Sequence, residues 1–292
     1  MILIAEDINV MSQTLGLAMK ERQTQPIQNM VKVAQQAGMH YIDLNIGPAK
    51  KLGAEMMPWL VQTVQQVSDL PLSLDTTNPE AIEAGLKLCK RRALINSVSL
   101  QPERLEHILP LISRYNAEMI GLLWSADGMP RDVNERCMLA VDLVYKANEA
   151  GVPNEDIWLD PIATPISGDI SKIKSCLEFL QMLPEIAPGC KSIVGLSNVS
   201  NGTPTPLRPY LNRVFMVMLK RAGIYSVIAD AQDAELPLIN CGERNELVNL
   251  IHRALDGEVL DIKSLSEEEF KYVKTAKVLN GEALYSHAWL EG

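Results

Sequence analysis

The chain has 292 residues, 47% hydrophobic and 22% charged, which is enough for one large domain or two small ones around a sizeable core. Its net charge of −9 at pH 7 repels phosphate backbones and argues against nucleic acid as a partner. The five cysteines, Cys89, Cys137, Cys176, Cys190 and Cys241, are odd in number and widely spaced, which suits reduced thiols in a cytoplasmic protein rather than a disulfide framework or a zinc site.

Taken in chain order, short apolar runs alternate with longer helical patterns. The expected strands are Ile2–Glu6, Tyr41–Ile46, Leu72–Thr76, Ala93–Ser97, Met119–Trp124, Ile157–Pro161, Ser192–Ser197 and Ser226–Ala231. Several are apolar at nearly every position, as parallel strands covered on both faces must be. Between them apolar residues recur at helical spacing, as in Ile27-Met30-Val31-Val33-Ala34 and Leu139-Ala140-Leu143-Val144. Asn78-Pro79-Glu80-Ala81 places a capping amide before a proline at the first helical position. A further helical pattern begins near Pro206. The spacing of roughly 32 residues is that of a β/α unit. Eight such units predict an α/β fold of the (β/α)8 TIM-barrel type over residues 1–262. A doubly wound sheet would carry a glycine-rich turn after its first strand, and no glycine precedes Gly16. The charged helical segment from about Ser264, within residues 263–292, is expected as an extension of the same domain that packs outside the barrel or extends a partner surface. No run approaches the roughly 18 apolar residues of a membrane span. The start MILIAEDINV lacks the basic opening of a secretory leader.

Barrel chemistry sits at the C-terminal ends of the strands. Those ends carry Glu6, Asp7 and Asn9, then Asp43 and Asn45, Asp75, Asn96, Asp160, Ser197 and Asn198, and Asp230. The strand ends hold no lysine, arginine or histidine. Carboxylates accept hydrogen bonds while amides both donate and accept, so this ring suits a neutral ligand rich in N–H groups, such as an amino-pyrimidinone ring. Structural roles compete: Asp75 and Asp160 could cap the following helices, Asn96 could mark a turn, and Asp43 and Asn45 could knit the rim. Magnesium is a competing ligand for an acidic ring, although no histidine or cysteine spacing supports a metal site. The segment GLSNVSNG, Gly195–Gly202, is composed mostly of small and amide residues after a buried strand, so it is either a turn or a place where the backbone approaches a flat ligand.

The stretches INVMSQTL, YIDLNIGPA, LSLDTTNPEAIEAGLK, ALINS, LDPIA, VGLSNVSNG and IADA together resemble the methyltetrahydrofolate:corrinoid protein methyltransferases, pterin-binding barrels related to dihydropteroate synthase and to the folate module of methionine synthase. The resemblance runs from Met1 to about Cys241. It implies that Asp75, Asn96 and Asp160 hold the pterin, that Gly195 and Ser197 belong to the adjoining pocket segment, and that Asn198 lies beside N-5 as the catalytic residue. It implies tetrahydrofolate or 5-methyltetrahydrofolate as substrate, a corrinoid (cobalamin) carried by a partner protein, and a homodimer. At the first strand, where the family usually reads GE-R-ING, this chain keeps Glu6 and Asn9 but has Ala5, Asp7 and Val10 around them. That loop and the long tail point to a demethylation system, such as glycine betaine or aryl-ether use. The alternatives are a non-catalytic folate-binding, corrinoid-docking protein and dihydropteroate synthase. The latter needs a lysine and an arginine for its pyrophosphate leaving group, where this chain reads SNVSNG and IADAQD.

Overall fold

The computed structural model describes residues 1–49 and 52–291. Eight parallel strands close into a barrel in sequence order: β1 (Ile2–Asn9), β2 (Tyr41–Asn45), β3 (Leu72–Asp75), β4 (Leu94–Ser99), β5 (Glu118–Leu122), β6 (Ile157–Asp160), β7 (Lys191–Gly195) and β8 (Ser226–Ala229). The expected (β/α)8 barrel is the one observed, and each predicted strand overlaps an observed one. The helices are α1 (Gln13–Lys20), α2 (Thr24–Gln36), α3 (Gly53–Gln65), α4 (Pro79–Leu86), α5 (Pro102–Tyr115), α6 (Val133–Glu149), α7 (Ile170–Ile186), α8 (Arg208–Arg221), α9 (Glu235–Cys241), α10 (Asn245–Leu255) and α11 (Glu267–Leu279). Among the described residues no helix is long and apolar enough to cross a membrane.

Local chemistry explains why the helices start and bury where they do. Asn78 caps α4 by accepting from the backbone N–H groups of Glu80 and Ala81, with Pro79 in the first turn. On α2, Ile27, Val31 and Ala34 fall on one stripe and are buried against the barrel, while Met30 only borders the core. The pattern expected from Pro206 resolves into a short 3₁₀ turn, Thr205–Leu207, that runs into α8. Ser266 and Glu269 form a capping box at the start of α11, which packs on α8 and α10 outside the barrel.

Two apolar layers result. The larger fills the space between strands and helices. A smaller one, Ile4, Leu94, Ile120, Trp158 and Ile193, fills the barrel itself, so the interior is a packed core and not a pore. The floor of the barrel is closed by a polar cluster. Buried Glu118 accepts from Lys191 Nζ (2.6 Å), Trp158 Nε1 (3.2 Å) and Tyr41 (3.3 Å), and the Lys191 ammonium also lies over the rings of Trp158 and Tyr225. With one end sealed, ligand access is left to the opposite rim.

Candidate active site

The rim is set by strand register. Asn45 stands opposite Asp75, and Asp75 opposite Asn96, so the ends of β2, β3 and β4 present three polar side chains at one level. They are already bonded to one another. Asn45 donates its amide to Asp75 Oδ2 and accepts the Gly47 N–H (2.9 Å). One strand step deeper, buried Asp43 accepts from Ser73 Oγ (2.5 Å) and from Asn96 Nδ2 (3.1 Å). Asp75 therefore keeps one carboxylate oxygen clear of Asn45, and Asn96 has its carbonyl oxygen free of the bond to Asp43. The peptide between Asn96 and Ser97 is cis.

Asp160 stands across the barrel at the end of β6, bonded to none of these groups. Its Oδ1 accepts the Ile162 N–H (2.7 Å) within its own turn, where Ile162 takes a positive φ of 66°. Asp75 and Asp160 therefore cap neither of the helices that follow them: Asn78 and Asp169 do.

Beyond β7 the segment GLSNVSNG is neither a plain loop nor a helix start. Residues Leu196–Ser200 form a 3₁₀ turn that carries Ser197 and Asn198 at the mouth, half-buried. Gly195 explains part of its smallness. A Cβ at that position would stand 2.9 Å from Asn198 Nδ2, so the glycine makes room for the asparagine's own amide. Its φ of −73° is ordinary, so the requirement is space and not conformation. Asn198 Oδ1 has only a long contact, 3.4 Å, from Asn201 Nδ2. Ser197 Oγ donates to Glu6 Oε2 (2.9 Å), linking the ends of β7 and β1.

The strand ends carry no lysine, arginine or histidine, as expected, and helices deliver arginines from behind them. Arg104, on α5, donates to the carbonyls of Thr76, Thr77 and Ser97 at 2.8–2.9 Å, and its charge acts on Asp75. Arg136, on α6, is completely buried and donates to the Pro161 carbonyl (2.9 Å) and to Ser175 Oγ (2.6 Å), behind Asp160. On α8, Arg208 reaches Ser200 and Asn201, and Arg213 pairs with Asp233 and donates to Tyr272 of α11. These arginines staple the loops. Nothing in the strand pattern announces them, because helix side chains reach the rim only through tertiary packing.

The electrostatic result is a set of acids that hold their protons unusually tightly. Burial pushes Asp160 up to about 7, opposed by the Ile162 N–H and by Arg136. Burial pushes Asp43 up to about 6 against its bonds from Ser73 and Asn96, and Asp75 is raised by burial and by neighbouring Asp43. Glu6 rises to about 7, through burial, with the Ser197 bond opposing and Asp230, Asp7 and Asp43 adding to it. Asp230 rises to about 6, again mainly through burial. Clusters of this kind mark ligand sites more often than scaffolding.

Comparison with known proteins agrees with this geometry. Residues 12–230 match the pterin binding enzyme family. The methylcorrinoid:tetrahydrofolate methyltransferase of Eubacterium limosum is 27% identical over 238 residues, 81% of this chain and 87% of that one. The methionine synthase of Mycobacterium leprae is 28% identical over 75% of this chain, which spans only 19% of that longer protein. Among solved structures, the dihydropteroate synthase of Thermus thermophilus superposes with a TM-score of 0.60 at 22% identity, covering 83% of this chain and 93% of that one, which is a likeness of fold. Eight strands in barrel order, an acid-and-amide rim and a sequence match across most of the barrel converge: the chain belongs to the pterin binding enzyme family.

Proposed function

We propose that this chain is a methyltransferase that moves a methyl group between N-5 of tetrahydrofolate and the cobalt of a corrinoid held by a partner protein. The observation that carries the reading is the pairing of two kinds of group at one mouth. Asp75, Asn96 and Asp160 offer acceptors to the N–H edge of a pterin, while a neutral amide, Asn198, stands on the turn after β7 with its oxygen nearly unengaged. Kinship with a methylcorrinoid:tetrahydrofolate methyltransferase over four-fifths of the chain supports it.

An amine is a poor leaving group, so N-5 must become more electron-poor before its methyl can depart. Reduced cobalt of the corrinoid supplies the nucleophile. The carboxylates fix the ring and so place the methyl for in-line attack. As the carbon–nitrogen bond breaks, its electron pair returns to N-5, which takes a proton. Asn198 bonds N-5, most strongly as charge develops there, and a bond stronger in the transition state than in the ground state lowers the barrier. In the reverse direction its oxygen accepts a hydrogen bond from the N-5 N–H. Gly195 and Ser197 serve by holding the turn.

The proposal extends to a homodimer in the cytoplasm. Met138, Val141 and Tyr145 of α6 are exposed and line, with Ile186 of α7, a largely apolar surface depression that a second copy would cover, and light scattering in solution reads that state. A demethylation system remains the proposed setting. The activity itself is tested by mixing the protein with 5-methyltetrahydrofolate and free reduced cobalamin as a stand-in for the partner, following cobalt methylation by absorbance. Asn198→Ala should lower the single-turnover rate roughly 100-fold or more while pterin affinity changes by a few-fold at most. Unchanged turnover in Asn198→Ala removes that residue's role. Absence of both pterin binding and methyl transfer in the folded wild type removes the reading.

A further inference from the structure

Behind the Ser197–Asn198 turn lies a cavity of about 330 Å³ between the ends of β1, β7 and β8 and the start of α8. Its wall is polar: Glu6, Ser197, Asn212, Asp230, Arg208 and Arg213 all contribute. Asn212 is only 9% exposed and lines this space, and among the described residues its Oδ1 has no hydrogen-bond partner. The space is polar and several times larger than one water, which suits an ordered chain of waters.

We propose that Glu6 carries the proton to and from N-5 and that this cavity is its hydrated route to bulk solvent. The proposal rests on the methyl-transfer reading above and supplies the proton that an asparagine cannot. Glu6 occupies the junction of both spaces. Its Oε2 accepts from Ser197, the residue immediately before Asn198, and its carboxyl also lines the cavity. Among the described residues no cation is bonded to it. Arg213 is engaged by Asp233 and Tyr272, and Arg208 by Ser200 and Asn201. The charged groups that face Glu6 on its neighbouring strands are acids: Asp7 on β1, Asp43 on β2 and Asp230 at the end of β8. With burial, these keep a proton on Glu6 up to about pH 7, where a donor serves a reaction near neutrality best. In the forward direction the carbon–nitrogen electron pair passes to N-5, Glu6 releases its proton to that nitrogen through intervening water, and the carboxylate is reprotonated from solvent through the cavity. The reverse direction runs the same transfers backwards.

Glu6→Gln preserves shape and still accepts from Ser197, but it has no proton to give. In single-turnover methyl transfer from 5-methyltetrahydrofolate to free reduced cobalamin, it should lower the rate constant roughly 100-fold, with pterin affinity within about threefold of wild type. The wild-type rate should fall as pH rises through about 7, and that limb should be absent from the variant. Asn212→Leu, which dries the cavity without touching Glu6, should slow the same step roughly tenfold by removing bridging water. A Glu6→Gln enzyme with the wild-type rate and the wild-type pH profile overturns the proposal. Infrared difference spectra give a readout independent of turnover. Protonated-carboxyl absorption that titrates near neutrality in wild type and loses one carboxyl's share in Glu6→Gln, with that of Asp160 left behind, supports it, and absorption unchanged by Glu6→Gln overturns it whether or not methyl moves. A wild type that shows the band yet transfers no methyl refutes the methyl-transfer reading itself, and the N-5 role of Glu6 falls with it.

Discussion

Lowering the pH from 8 to 6 should weaken pterin binding, by an amount set by Asp160. A pterin edge donates N–H bonds, so it binds the ionised carboxylate. Burial holds Asp160 at about 7 in the empty site. About nine-tenths of the molecules are then ionised at pH 8 and about one-tenth at pH 6, which converts to a roughly tenfold loss of affinity, or about 1.4 kcal/mol. Asp75 is raised as well and acts in the same sense, so tenfold is a lower bound. Linkage gives a second readout. Binding must expel the proton, with about 0.9 proton released per ligand from Asp160 at pH 6 and about 0.1 at pH 8. Calorimetric titration with 5-methyltetrahydrofolate, in two buffers of different ionisation enthalpy at each pH, measures both quantities. Asp160→Asn, which cannot titrate, should remove most of the slope. Affinity that is flat or rises toward pH 6, with buffer-independent enthalpy, would falsify the assignment of Asp160 to the N–H edge.

Three further outcomes follow from the same contacts. Gly195→Ala forces the Asn198 amide to move, since the new Cβ falls 2.9 Å from Nδ2. The methyl-transfer rate should drop roughly tenfold while the melting temperature barely changes, because the backbone at this position is unstrained. Arg136→Met leaves the Pro161 carbonyl and Ser175 without their buried donor, which should cost about 3 kcal/mol in urea unfolding and loosen pterin binding through the Asp160 turn. The ligand-free protein should lose stability as pH rises from about 4 to about 8. Asp43, Asp160, Glu6 and Asp230 bind protons more tightly folded than unfolded, so the stability they contribute below their unfolded values is lost as pH climbs through 6 and 7. A melting temperature that climbs between pH 6 and 8 contradicts the raised acids, and Asp160→Asn should melt higher than wild type at pH 8.

The strands could be read because burial on both faces leaves their apolar runs unbroken, and the polar residues that end those runs fell at the rim. Asp75 and Asn96 stand level because β3 and β4 pair in that register. What could not be read is which atoms are already spoken for. That Asn45 occupies one oxygen of Asp75, and that Asp43 holds the Asn96 amide, are properties of strand pairing: Asn45 pairs level with Asp75, while Asp43 reaches a residue two steps further along β4. Asp43 and Asn45 carried two readings in the sequence, members of a ligand-facing ring or knitters of the rim, and knitting is what their bonds do, yet those bonds also aim the residues beside them. Glu6 was visible as a residue kept from the family pattern. Its role was hidden because the Ser197 contact joins residues 191 apart in the chain. The arginines were hidden for a different reason. Arg104 and Arg136 sit on helices whose patterns describe a buried face, and a guanidinium that reaches past that face to a loop carbonyl leaves no mark in the pattern.

The two ends of this barrel treat buried acids in opposite ways. At the floor, Glu118 meets a lysine ammonium, an indole N–H and a phenol, so its charge is compensated within the protein. At the rim, Asp43 meets a serine, an asparagine and the carboxyl of Asp75, and Glu6 meets a serine, none of which supplies positive charge. Two rim acids have arginines at closer range, but those guanidiniums are committed to backbone carbonyls, and Asp75 and Asp160 stay well above their ordinary range. A carboxylate paired with a cation inside the protein has little left to offer a ligand. One held by neutral groups keeps a proton to give away, or a charge that only a donor-rich ligand completes. That difference, more than the count of acids at the strand ends, marks the rim as the working face of the barrel and the floor as its seal.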